Sequence, residues 1–121
     1  MNGTFIWTEL ITADVEAAKA HYAELAGWTY EPHPMPQGGT YWVAKIGDRP
    51  CAGIMGLETL PPGETPHWFV YLASGDVDAS CAILASQGGR VTQAPWDVPG
   101  VGRLAVVSDD QAACFGLMKP E

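Results

Sequence analysis

The sequence predicts an α+β fold in which two copies of a strand–helix–three-strand (βαβββ) module make a curved mixed sheet around a cup-shaped pocket. Two observations carry this. The first is an internal repeat. Thr12-Ala13-Asp14-Val15-Glu16-Ala17 returns as Ser74-Gly75-Asp76-Val77-Asp78-Ala79, and the offset of 62 positions then holds for Ala20 and Ala82, Ala23 and Ala85, Gly27 and Gly89. A repeat of this length means that one supersecondary unit has been used twice. The second is the alternation of strand-like and helix-like patterning within each copy. Residues 1–121 read as a single domain built from repeats 1–59 and 67–121.

Phe5 to Thr12 is rich in aromatic and branched residues and reads as a strand. Asp14 is a suitable helix N-cap, and Glu16 in the first turn favours the positive end of the dipole. Val15, Ala18, Tyr22 and Leu25 recur at helical spacing, and Gly27 closes the helix. Thr29–His33, Tyr41–Ile46 and Cys51–Leu57 follow as short strands, with turns at Gly38-Gly39 and Gly47-Asp48. Leu60 to Pro66 links the copies, because its prolines and glycine continue neither helix nor central strand. The second copy reads as a strand over His67–Ala73, a helix over Asp76–Gln87, and strands near Arg90–Ala94, Arg103–Ser108 and Cys114–Lys119.

Composition narrows the function. A net charge of −8 argues against nucleic acid and anionic membrane surfaces as partners. Cys51, Cys81 and Cys114 are odd in number and form no C-x-x-C pair, so they read as reduced thiols of a cytoplasmic protein. The first residues, Met-Asn-Gly-Thr-Phe-Ile-Trp, lack a basic stretch followed by an apolar run, so no signal peptide is expected. No apolar stretch approaches the ~18 residues of a membrane span.

Side chains on a strand point to opposite faces with period two. Ile6, Leu10, Val70 and Leu72 pack most simply under the helices. Phe5, Trp7, Glu9 and Ile11, with His67, Phe69, Tyr71 and Ala73, are left on the other face. Glu9 among rings is either an anchor or general base, or a carboxylate paired with Arg103 or another buried donor. Arg103 either meets a ligand carboxylate or pairs with an acid. His67 lines a pocket rim or caps a strand end. Trp7 and Trp96, beside Phe69 and Tyr71, are candidate stacking surfaces, whereas Trp28 and Trp68 read as helix-side packing. His21 and His33 read as surface residues. No pair of histidines has helical zinc spacing, no glycine loop cradles a phosphate, and no serine has nucleophile-elbow context.

The doubled module resembles the vicinal oxygen chelate superfamily, which includes glyoxalase I, extradiol dioxygenases, and fosfomycin and bleomycin resistance proteins. The resemblance is carried by Phe5-Ile-Trp-Thr-Glu-Leu-Ile-Thr-Ala-Asp14, His21-Tyr-Ala-Glu-Leu-Ala-Gly-Trp28 and Asp97-Val-Pro-Gly-Val-Gly-Arg-Leu-Ala-Val-Val-Ser-Asp109. It runs over nearly the whole chain and implies a homodimer. Enzymatic members hold a divalent metal with His, Gln or Glu from both repeats. By that resemblance the ligand positions here are Trp7, Phe69, Gly116 and its repeat partner Ile54, none of which ligates a metal. The family's Asp-Pro-x-Gly turn is altered to Asp109-Asp110-Gln111-Ala112.

These readings lead to the following expectation. The chain binds a small, partly aromatic, cationic molecule in the cup between the repeats, as in drug sequestration or metabolite carriage, with no metal or other cofactor. Trp7, Glu9, Phe69, Tyr71 and Trp96 form the site, and His67 and Arg103 flank it. The alternatives are a metal-dependent lyase or oxygenase of the glyoxalase or dioxygenase type, and a metal-free lyase or isomerase using Glu9 as base.

Overall fold

A computed structural model describes residues 2–35, 38–57, 65–98 and 100–121. Its elements run β1 (Phe5–Thr12), α1 (Val15–Ala26), β2 (Thr29–Pro34), β3 (Thr40–Ile46), β4 (Arg49–Gly56), β5 (His67–Ala73), α2 (Val77–Ser86), β6 (Arg90–Val98), β7 (Gly102–Ser108) and β8 (Cys114–Pro120). This is the predicted α+β order, βαβββ twice. Most of the predicted Leu60–Pro66 linker lies outside the described residues. The chain forms two compact units, one of Thr8–Trp68 and one of Met1–Trp7 with Phe69–Glu121. Among the described residues, no helix is long and apolar enough to cross a membrane.

In the Thr8–Trp68 unit the strand order is β2-β3-β4-β1. β1 and β4 are parallel, with Glu9 opposite Gly53 and Leu10 opposite Ile54. β3 and β4 are antiparallel, joined by the two-residue turn Gly47-Asp48, where Gly47 takes φ 60°. Asp14 caps α1 as predicted, its Oδ1 accepting from the Ala17 amide at 3.0 Å, and Gly27 closes the helix in the left-handed region.

The unit of residues 1–7 and 69–121 has the order β5-β8-β7-β6. Residues before β1 belong to it, since the Gly3 amide donates to Ala73 O and the Ala73 amide to Thr4 O. β5 and β8 are parallel, with Tyr71 opposite Gly116 and Leu72 opposite Leu117. Asp76 caps α2 through the Ala79 amide at 3.0 Å, the same contact that Asp14 makes 62 positions earlier. β6 runs four residues beyond its predicted end at Ala94. It is an edge strand with register shifts around Gln93 and Trp96, and such irregular edges tolerate Pro95.

The two helices are held differently. α2 buries Val77 and Cys81 against Ala105, Val107 and Leu117, with Leu72, Leu84 and Phe115 around them. Each such aliphatic side chain is worth about 1.5–3 kcal/mol. α1 buries none of its residues. At the repeat position of Cys81 it carries Lys19, whose charge cannot enter an aliphatic core unpaired. Lys19 Nζ instead sits 3.2 Å from the centroid of the Trp42 ring and 3.3 Å from Glu16 Oε2. The Tyr30 hydroxyl donates to Lys19 O at 2.8 Å, and Tyr22 stacks on Trp28 at 5.2 Å with Trp68 edge-on to both. Trp28 and Trp68 are therefore helix-side packing, as the sequence predicts.

Candidate functional site

In the Thr8–Trp68 unit, Leu10, Ile54 and Trp42 share a row, and the contact of Lys19 with Trp42 places that row on the α1 side. Strand alternation then sets Glu9, Gly53 and Val43 on the opposite, helix-free face. Glu9 is buried, with 7% of its surface exposed. The Tyr41 hydroxyl donates to Glu9 Oε1 at 2.9 Å. A hydrogen bond to a charged group is worth about 1.5–3 kcal/mol, which offsets part of the cost of burying the carboxylate.

A glycine makes this contact possible. Tyr41 lies across Gly53, and a Cβ there would overlap its hydroxyl and ring. The missing side chain is thus a notch that seats the ring and lets the hydroxyl reach Glu9. The second repeat has the same notch with a different occupant. Tyr71, the repeat partner of Glu9, lies across Gly116, which it faces on β8. The register corrects one sequence expectation: the structural counterpart of Gly116 is Gly53, and Ile54 is a fully buried residue of the α1 side. One extra residue in the second repeat accounts for the difference.

Further along the helix-free face, β2 sets His33 opposite Tyr41 and Glu31 opposite Val43. His33 Nε2 and Glu31 Oε1 are hydrogen-bonded at 2.8 Å, and Lys45 Nζ lies 3.6 Å from Glu31 Oε2. The bond from His33, helped by Lys45, holds the Glu31 carboxyl below the usual range. His33 is exposed, as expected, and lies on β2.

In the other unit the core under α2 fixes the facing of the strands. Leu72, Leu117 and Ala105 are on the helix side, so Tyr71, Gly116 and Val106 are on the helix-free side. Ala73, Met118, Leu104 and Trp96 form the next row of that face. Phe69 and Tyr71 are buried and meet edge to face at 5.3 Å, and Trp96 is half-buried. Phe69, Tyr71 and Trp96 thus share one face of this unit. Trp7 is half-buried on β1 and alternates with the same parity as Glu9. His67 opens β5, where its Nδ1–H donates to Thr65 O at 2.7 Å, a local strand-end bond.

Arg103 lies elsewhere. It pairs with Lys119 and Asp97 on the helix side of the sheet, and its guanidinium grips α2. Its Nε and Nη2 donate to the two Asp78 oxygens at 2.7 and 3.0 Å, and Nη1 is 3.1 Å from Asp97. The acid-pairing alternative for Arg103 is therefore the one the structure shows. One donor on Glu9 is Tyr41, which sequence reasoning missed. The available signal was Gly53, an interior strand glycine of the kind that marks close approach by another group.

Among the described residues, no three His, Cys, Asp or Glu side chains are grouped to hold a metal ion. The ligand positions implied by the resemblance carry an indole, a phenyl ring and, once the register is corrected, two glycines. These groups do not fit a divalent ion.

Comparisons with known proteins agree with this architecture. CFP32 of Mycobacterium tuberculosis, whose name calls it a glyoxylase, is 43% identical over 118 residues, covering 98% of this chain and 44% of that protein. The anthracycline biosynthesis protein DnrV of Streptomyces peucetius is 30% identical over 129 residues, covering 97% of this chain and 47% of that protein. The chain therefore spans less than half the length of these curated relatives. The crystal structure of methylmalonyl-CoA epimerase from Mycobacterium tuberculosis superposes with a TM-score of 0.70 at 18% identity, covering 98% of this chain and 88% of that one, a likeness of fold. The family model that matches residues 4–112 spans both repeats, and the chain belongs to the Glyoxalase/Bleomycin resistance protein/Dioxygenase superfamily.

Proposed function

We propose that this chain binds a small, partly aromatic molecule bearing a cationic or hydrogen-bond-donating group, and does so without a divalent metal. The observation that carries the proposal is Glu9, a buried carboxylate on a helix-free sheet face, steadied by Tyr41 over Gly53. A carboxylate is rarely kept inside a protein unless it is paired or used. In water-poor surroundings it would orient a positive group strongly. In the same unit, the Tyr41 ring lying across Gly53 beside Glu9 offers apolar area of the kind on which flat rings stack. The side chains at the metal-ligand positions support a metal-free reading.

A second reading starts from the buried position of Glu9, and the name glyoxylase carried by the relative CFP32 is consistent with catalysis. In it the chain is a metal-free lyase or isomerase, and Glu9 takes a proton from a carbon acid. The test is native mass spectrometry with elemental analysis of dialysed protein. Binding predicts a metal-free protein that retains a co-purified small molecule, and a Glu9→Gln variant that loses it. Stoichiometric Ni, Zn, Fe or Mn would overturn the metal-free proposal. Turnover whose pH–rate profile disappears in Glu9→Gln would establish the second reading.

A further inference from the structure

We propose that Tyr41 is a positioning residue that sets the selectivity of the Glu9 site, and that Gly53 exists to seat it. This deepens the binding proposal and rests on it. Glu9 and Tyr41 are 32 residues apart in sequence, yet the β1–β4–β3 register brings them to one face. The phenol spans Gly53, the residue that separates their two strands, because no Cβ blocks its path. A glutamate has three side-chain torsions, and a carboxylate free to rotate would recognise charge without direction. A donor fixed on Oε1 at 2.9 Å removes that freedom. The ring is itself immobilised on the sheet, so it adds apolar floor beside the carboxylate. The ligand class that fits is an aromatic ring with a single ammonium or amidinium group one or two bonds away, in preference to the same ring with a neutral alcohol.

The proposal separates Tyr41 from a merely structural tyrosine. A packing residue would change stability and leave the choice between charged and neutral ligands alone. A donor that orients the Glu9 carboxylate changes that choice when it is removed. The phenyl ring of Tyr41→Phe keeps the packing and deletes only the hydroxyl.

The experiment titrates wild type, Tyr41→Phe, Gly53→Ala and Glu9→Gln with 1-naphthylmethylammonium and 1-naphthylmethanol from pH 3 to pH 8, using tryptophan fluorescence, with near-ultraviolet circular dichroism as the check on folding. Wild type should prefer the ammonium probe by about tenfold or more. Tyr41→Phe should lose most of that preference and keep the alcohol affinity. Gly53→Ala should also lose the preference and, by displacing the ring, weaken the binding of both probes, and Glu9→Gln should abolish the preference. A folded Tyr41→Phe protein with the wild-type preference would overturn the role of Tyr41 while leaving the binding proposal standing. A folded wild type that binds neither probe would overturn both.

Discussion

Substituting Gly53 by alanine isolates the notch under Tyr41. The Gly53 backbone lies outside the left-handed region, so alanine is allowed there and space alone decides the outcome. Alanine would normally stabilise by about 0.4–1 kcal/mol, through a less flexible unfolded chain. Here its Cβ falls on the hydroxyl and ring of Tyr41. Forcing a side chain out of a packed position costs about 1–3 kcal/mol, and the lost hydrogen bond to Glu9 about 1.5–3 kcal/mol more. The net expectation is a loss of about 1.5–5.5 kcal/mol, a large share of the 5–15 kcal/mol of a typical domain. Urea unfolding followed by tryptophan fluorescence should show a lower midpoint at unchanged slope. In a Tyr41→Ala background the three atoms nearest that Cβ are gone, and its effect should fall towards zero or become mildly stabilising, a coupling of at least about 1.5 kcal/mol. The reasoning fails if Gly53→Ala matches wild type, or if its cost is the same in both backgrounds.

Two further expectations concern parts of the frame away from this face. Ala112 has φ 67°, a conformation costing a non-glycine residue about 1–2 kcal/mol, in a turn whose Asp109 Oδ1 accepts from the Gln111 and Ala113 amides. Ala112→Gly should therefore raise stability by about 0.5–1 kcal/mol after the entropy of glycine is subtracted, and a lower urea midpoint would contradict this. Hydrogen bonds from Arg103 hold the Asp78 carboxyl below the usual carboxylate range. Because the folded-state value is depressed, the stabilisation is full above the unfolded value of about 3.9 and is lost as pH falls through the folded one. The melting temperature of wild type should exceed that of Asp78→Asn at neutral pH, with the gap closing below about pH 4 and shrinking in high salt; a gap independent of pH would refute it.

What the sequence revealed, and what it hid, follows from the range of each interaction. Caps, helix ends and strand order depend on neighbours a few residues apart, so Asp14, Gly27 and Asp76 were legible from local chemistry. Facing was legible too, since period-two alternation needs only the strand itself. It put Glu9 opposite Leu10, and Tyr71 opposite Leu72, as the register shows. Partners across strands were not legible. Counting a constant offset of 62 matched Gly116 with Ile54, because the repeat copies its start faithfully and gains one residue before its last strand. The same limit hid Tyr41: two strands and a turn separate it from Glu9 in sequence. It also left Arg103 open between a ligand and an acid. The choice depended on Asp78 of α2 lying on the same side of the sheet, a fact of packing rather than of pattern.

The repeat offers its own control for deciding which residues carry function. Positions that agree between the copies serve the frame: Asp14 and Asp76 cap, and Gly53 and Gly116 open the sheet to a ring. Positions that disagree have been released from that duty. Lys19 stands for Cys81 and leaves α1 without a buried residue, an exchange that aromatic stacking and the Trp42 contact offset. Glu9 stands for Tyr71. Over Gly116 the tyrosine of the first strand fills the notch itself, and the face stays apolar. Over Gly53 the notch is filled from β3 instead, which frees the first-strand position for a carboxylate and supplies its donor in the same step. Packing alone would be satisfied by repeating the Tyr71 solution. A buried carboxylate at the equivalent position costs stability, and the hydrogen bond from Tyr41 offsets part of that cost.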